Sequence, residues 1–287
     1  MLYVWKTEIR KAFQNRGFYI SLLIGGLLSL WHIIKNFELS NELLVVRNTT
    51  MTLSNGIVWN TANRVATSVY YNWLGISSMD MIGLIFYFLF PLLAAMPYGW
   101  GALVERKNGY CNQLLVRVPK TWITIGKYTA AFLSGGVAVV IPIITDFLFS
   151  ALRMPMTIPE ITDTVATIDE TQFGSALFFS HYILFVIANV GLIFLWGGTM
   201  AGLSLAVGEI VRNKVSAVLV PFCFCVFVDL IFEIGILNTC TEWSPIRLFH
   251  MVTIRGTSGF VIFGEILAIM LGSVIIFIIG EKRNEGL

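Results

Sequence analysis

Residues 177–206 read LFFSHYILFVIANVGLIFLWGGTMAGLSLA, thirty consecutive positions without an Asp, Glu, Lys or Arg. At 1.5 Å of helical rise per residue, about 20 such positions cross the ~30 Å hydrocarbon core of a bilayer. A run this long and this apolar is a membrane span, and it sets the reading of what lies on either side. Gly197, Gly198 and Gly202 within it let a neighbouring helix approach closely.

Runs of the same character recur at 17–34, 81–98, 127–149, 215–236 and 260–279. The expectation is therefore an all-α, polytopic membrane protein with six spans in one permease-like domain over residues 1–287. The composition agrees: the chain is 56% hydrophobic and 13% charged, with a mean hydropathy of +0.79, outside the balance of a water-soluble domain. A net charge of +2 gives no footing for a nucleic-acid partner. Cys111, Cys223, Cys225 and Cys240 lack the CxxC spacing of a zinc site or a redox pair. The first apolar run follows a basic stretch and lacks a small-residue cleavage site, so it is expected to remain as the first span.

Residues 1–16 place Trp5, Ile9 and Phe13 at a spacing of four, with Lys6, Arg10, Lys11 and Arg16 around the remaining surface. That pattern suits an elbow helix in the headgroup layer; a plain extension of the first span with snorkelling basic residues is the alternative. Lys and Arg then set the orientation. Putting both termini on one face gathers Lys6, Arg10, Lys11, Arg16, Arg106, Lys107, Arg117, Lys120, Lys127, Arg212, Lys214, Lys282 and Arg283 there. The opposite face keeps Lys35, Arg47, Arg64, Arg153, Arg247 and Arg255. By the positive-inside bias both termini and loop 99–127 are cytoplasmic, while segments 35–80, 150–176 and 237–259 are outer, the last with short interfacial or re-entrant helices.

Carboxylates at membrane depth are costly, which makes Asp146, Asp229, Glu233 and Glu265 candidate pathway residues. Asp229 and Glu233, four apart, share one helix face and suit a cationic ligand or an aqueous cavity. The plainer reading pairs the four acids with Arg153, Arg247 or Arg255 near the outer interface. His32, His181 and His250 are scattered, and neither HExxH nor GxSxG occurs. Gly126, Lys127, Tyr128 and Thr129 lack the glycine spacing and hydroxyl position of a phosphate-binding loop. No catalytic group is therefore assigned, and no metal.

Loop 99–127 mixes charge with Tyr110, Leu114, Leu115 and Val118 at roughly helical spacing. It reads as a docking helix, or as a solvated charged loop.

These residues resemble, in order and placement, the membrane subunit of ABC exporters of the ABC-2 permease family, over essentially the full length. The resemblance runs through Glu8, Arg10, Lys11, Arg16 and Gly17, then Glu105, Arg106, Lys107, Asn108 and Gly109 with Leu114, Leu115 and Arg117 following. It continues in Val211, Arg212, Asn213 and Lys214 before the fifth span and in Trp243, Ser244 and Pro245 before the sixth. It implies that a separately encoded ATPase, in two copies and holding the ATP and Mg that this chain does not bind, docks around residues 105–117. Glu209, Arg212 and Lys214 would offer a second cytoplasmic contact. It also implies a second membrane subunit, identical or homologous, in a bacterial cytoplasmic membrane. By length and outer-loop size the chain is most similar to the lantibiotic-immunity and antimicrobial-peptide exporters; the bulky segment 37–79 departs from a polysaccharide exporter. An ion-coupled transporter or channel built on the intramembrane acids is the rival expectation.

Overall fold

Asn15 breaks the chain between its first two helices. In the computed structural model, which describes residues 2–47, 51–52, 58–59, 68–76, 80–108, 114, 116, 118–156, 168, 173–211, 213–233, 244–249 and 258–283, α1 (Leu2–Gln14) stops one residue before α2 (Arg16–Arg47) starts. The Asn15 Oδ1 accepts from the Gly17 N–H at 3.3 Å, and its Nδ2 donates to the Pro97 carbonyl at 2.8 Å. One side chain thus caps α2 and ties it to the end of the next helix. Gly17 is required at that crossing, because a Cβ there would run into the Met96 carbonyl.

The side of α1 buried against the protein is Val4, Glu8 and Ala12. Trp5 is exposed, and Ile9 and Phe13 are half-buried. The helix lies against the start of α5 (Lys120–Ala151), and a carboxylate rather than an aromatic row centres its packed face.

Among the described residues, five helices are long and apolar enough to cross a membrane: residues Arg16–Glu38 of α2, all of α5, α7 (Tyr182–Val211), Lys214–Phe232 of α8 (Lys214–Glu233) and Gly259–Lys282 of α10 (Gly259–Arg283). The stretch 81–98 differs from its expectation as a full span. Its helix, α3 (Met81–Ala95), has 15 residues, about 22 Å of rise against ~30 Å of hydrocarbon. Pro97 explains the stop: it has no N–H to give the Leu93 carbonyl, which instead accepts the Ser21 hydroxyl at 2.7 Å. After a turn, α4 (Gly101–Lys107) resumes.

The stretch 177–206 is also divided. Gly174, in the left-handed region at φ 83°, opens the short α6 (Ser175–Ser180), and His181 at φ −141° interrupts the helix before α7. Before α10 comes α9 (Pro245–Phe249), and a hairpin pairs β1 (Met51–Thr52) antiparallel with β2 (Val58–Trp59), Met51 opposite Trp59.

Helix α7 is the centre of the bundle and touches α3, α5, α8 and α10. Its contact with α5 is backbone against backbone: a Cβ on Gly135 would lie 3.1 Å from the Gly197 carbonyl oxygen, and one on Gly197 would lie 3.1 Å from the Gly136 Cα. The close approach expected from Gly197 is therefore present. Outside the bundle, exposed apolar side chains recur at helical spacing, Leu23, Leu27, Leu30 and Ile34 on α2 and Phe263, Leu267, Leu271 and Ile275 on α10. In water such stripes would be untenable; in a bilayer they face their solvent. The chain is a multi-pass helical membrane protein.

Candidate functional site

Four charged side chains meet where α1, α4 and α5 converge. Glu105, on α4, places Oε1 2.7 Å from the Lys11 ammonium of α1 and Oε2 2.9 Å from the Lys127 ammonium of α5. Lys11 also reaches Glu8 Oε1 at 2.9 Å, one turn away on its own helix, and the Tyr98 hydroxyl donates to Glu8 Oε2 at 2.6 Å. Two carboxylates and two ammonium groups balance to zero charge, and the hydroxyl satisfies a remaining lone pair. Buried ions persist only when compensated in this way.

Glu8 and Lys127 are the deepest members, their side chains 1% and 2% exposed, and Glu105 is 14% exposed. Burial by itself works to lower the Lys11 pKa, but the Glu105 and Glu8 carboxylates outweigh it and hold the ammonium above the ordinary lysine value. All three helices are thereby pinned at one point. Two further bonds extend the pinning: the Trp5 Nε1–H donates to Thr129 Oγ1 at 2.5 Å, and the Thr124 hydroxyl donates to Glu281 of α10 at 2.5 Å. The assembly fastens the segment following α3 to the helices around it.

The other residues expected to dock a partner fall in three groups. Arg106 and Lys107 belong to α4, but their side chains, with Gly109, Tyr110, Leu115 and Arg117, lie outside the described residues. Leu114 is half-buried, and the Val118 N–H closes a helical turn on its carbonyl at 3.0 Å. Between them Val116 is 87% exposed. At the second expected contact Glu209 is buried against Gly280, while Lys214 is exposed beside exposed Ile210, Val211 and Val215. Arg212 lies outside the described residues.

Among the described residues, the intramembrane acids Asp146, Asp229 and Glu265 have separate surroundings. Asp229 accepts from the Ser244 hydroxyl at 2.6 Å and from Arg247 Nε at 3.1 Å, the partner that the plainer reading gave it. Asp146 is fully buried and bonds His32 Nδ1 at 2.7 Å from Oδ1 and the Leu74 N–H at 2.7 Å from Oδ2. Glu265 is half-buried on α10. The Glu233 side chain lies outside the described residues, so its juxtaposition with Asp229 rests on their spacing. Among the described residues no group of three or more His, Cys, Asp or Glu is placed to hold a metal.

A cavity of about 600 Å³ opens beside α7, walled by Phe173, Leu177, Phe185, Leu192 and Phe263 with Asn189 as its polar member. The roles of Lys127 and His32 were hidden in the sequence. Lys127 looked like the flank of a span, because the helix starts at Lys120, about two turns further out than its apolar core. The available signal was a lone lysine followed at once by an uninterrupted apolar run. Compared with family models, with curated proteins and with solved structures, the chain matches none.

Proposed function

We propose that this chain is the membrane-spanning subunit of an ATP-driven exporter of the ABC-2 type, paired with a second membrane subunit and with two copies of a separate ATPase. The observation that carries the reading is the Glu105 junction. The segment after α3 is joined by buried ion pairs to α1 and α5 at once, so a push on the chain beyond α4 is transmitted to the bundle rather than absorbed by a loose loop. The exposed surface around Val116, and the apolar turn of Ile210, Val211 and Val215 near it in the topology, are where an ATPase would bear. In this reading α1 is an elbow helix, α3 with its following turn completes a sixth crossing, and both termini are cytoplasmic in a bacterial plasma membrane.

Helices α8 and α10 leave most of their apolar surface uncovered, with 22% of each span buried against 56% for α7. A second membrane subunit together with lipid covers them. The cargo is an amphipathic peptide, antimicrobial or drug-like molecule: the aromatic cavity beside α7 is of the size that receives such molecules. Asp229 is already neutralised by Arg247, so the rival ion-coupled mechanism gains no support from it.

The test is purification of the intact chain together with its membrane complex. An ATP hydrolase should co-elute, and Val116→Glu should release it while leaving the chain's own elution and thermal midpoint unchanged. Cargo movement by the chain alone under an imposed ion gradient, with no hydrolase associated, would overturn the proposal.

A further inference from the structure

Residues 68–76 have no regular secondary structure, yet Val69, Tyr70, Tyr71, Trp73, Leu74 and Ile76 are all buried. Irregular backbone within a membrane protein must find its hydrogen-bond partners in the protein itself. Here three side chains from three different helices supply them. Asn36 of α2 donates to the Asn72 carbonyl at 2.5 Å, Asp146 of α5 accepts the Leu74 N–H at 2.7 Å, and Asn189 of α7 donates to the Gly75 carbonyl at 3.0 Å.

The segment reaches into the bundle rather than lying on it. Asn189 is the eighth residue of α7, about 10 Å along the helix from its start. Trp73 meets Phe147 at 5.2 Å between ring centroids, Tyr71 meets Phe178 at 5.6 Å and Tyr70 meets Tyr182 at 4.5 Å. The location is the end of the bundle away from α1 and the Glu105 junction. Around the Asp146 contact stand His32, on Asp146 itself, and Asp80, whose Oδ2 is 3.8 Å from the His32 Nε2.

We propose that residues 68–76 are a withdrawable plug sealing that end of the bundle, with Asn36, Asp146 and Asn189 as its latch. Each latch bond comes from a different helix, so any separation of α2, α5 and α7 at that end breaks at least one. Helix side chains hold the plug at the Asn72, Leu74 and Gly75 backbone, and its Val69 N–H donates to the Pro155 carbonyl at 3.2 Å, while each helix is held internally by its own ladder. Release therefore breaks these bonds and uncovers the buried side chains of 68–76, but leaves the helices themselves intact. The gating role rests on the transport reading, but the latch can be tested without an ATPase.

The experiment uses the full chain in nanodiscs, with its four native cysteines replaced and a single reporter, Ile76→Cys, exposed to a water-soluble maleimide. A second reporter, Ala131→Cys, buried near the opposite end, monitors general loosening. With the latch intact both are unreactive. Asn36→Ala or Asn189→Ala should each speed labelling of Ile76→Cys about tenfold, the loss of one buried hydrogen bond, and leave Ala131→Cys unreactive. Unchanged Ile76→Cys labelling in both variants overturns the latch, and so does parallel labelling of both reporters. In the unaltered chain, amide exchange over residues 70–76 should be faster than over the middle of α5 and α7; equal protection overturns the plug. Selective labelling leaves the plug standing whatever becomes of the exporter reading, which falls instead if the chain alone moves cargo under an ion gradient with no hydrolase associated.

Discussion

Lys127, eight residues into α5, holds its ammonium 2.9 Å from the Glu105 carboxylate of α4 with almost no access to water. A buried pair of this kind resists loss of one partner far more than loss of both. Lys127→Met alone removes one of the two ammonium groups that Glu105 faces, and Glu105→Leu alone leaves Lys127 charged and enclosed; each should destabilise the chain by ~3–5 kcal/mol. The double variant should be clearly more stable than the sum of the singles. Thermal unfolding of all four proteins measures the difference, and simple additivity would deny the coupling.

Lys11 gives a statement about pH. Its folded-state pKa is raised above the ordinary 10.5 by Glu105 and Glu8 acting against burial. A raised value of this sign contributes stability that is complete below the unfolded pKa and is lost only as pH rises through the folded one. The difference in stability between the natural chain and Lys11→Met should therefore be flat from pH 6 to pH 9 and shrink only in strong alkali. A difference that fades between pH 6 and pH 8 would place the interaction elsewhere.

The helical, multi-pass character was legible because apolar runs such as 177–206 need no partner to be recognised. Element ends were less so: Pro97 shortens α3, and His181 divides the run that begins at residue 177. The site was legible in composition but not in wiring. Glu105 was singled out as a surface contact, yet its burial depends on Lys11, 94 positions away, and on Lys127. Likewise His32 and Asp146 are 114 positions apart, and no periodicity within either helix shows that they meet.

Asp229 and Arg247 supply a third prediction. Their side chains are 23% and 32% exposed, so the pair is partly screened and worth about 1 kcal/mol or less. Asp229→Asn should loosen α9 and its approach to α8, raising amide exchange over residues 244–249, and leave the discrimination between cationic and neutral cargo unchanged. A selective loss of cationic cargo would restore Asp229 to the pathway.

The glycines separate helix packing from helix propensity. A Cβ on Gly135 would be 2.7 Å from the Ala94 carbonyl oxygen and would also strike the Ala201 Cβ, whereas one on Gly264 meets nothing within 4 Å. Backbone cannot move aside as a flexible side chain can, so Gly135→Ala must separate α5 from α3 or α7. It should cost ~1–3 kcal/mol as an overpacked core position does. Gly264→Ala adds helix propensity on an open face and should be neutral or stabilising by up to about 1 kcal/mol. Thermal midpoints of the two variants in the same nanodiscs test the pair, and equal responses would mean that the α5–α7 crossing is not a close backbone contact.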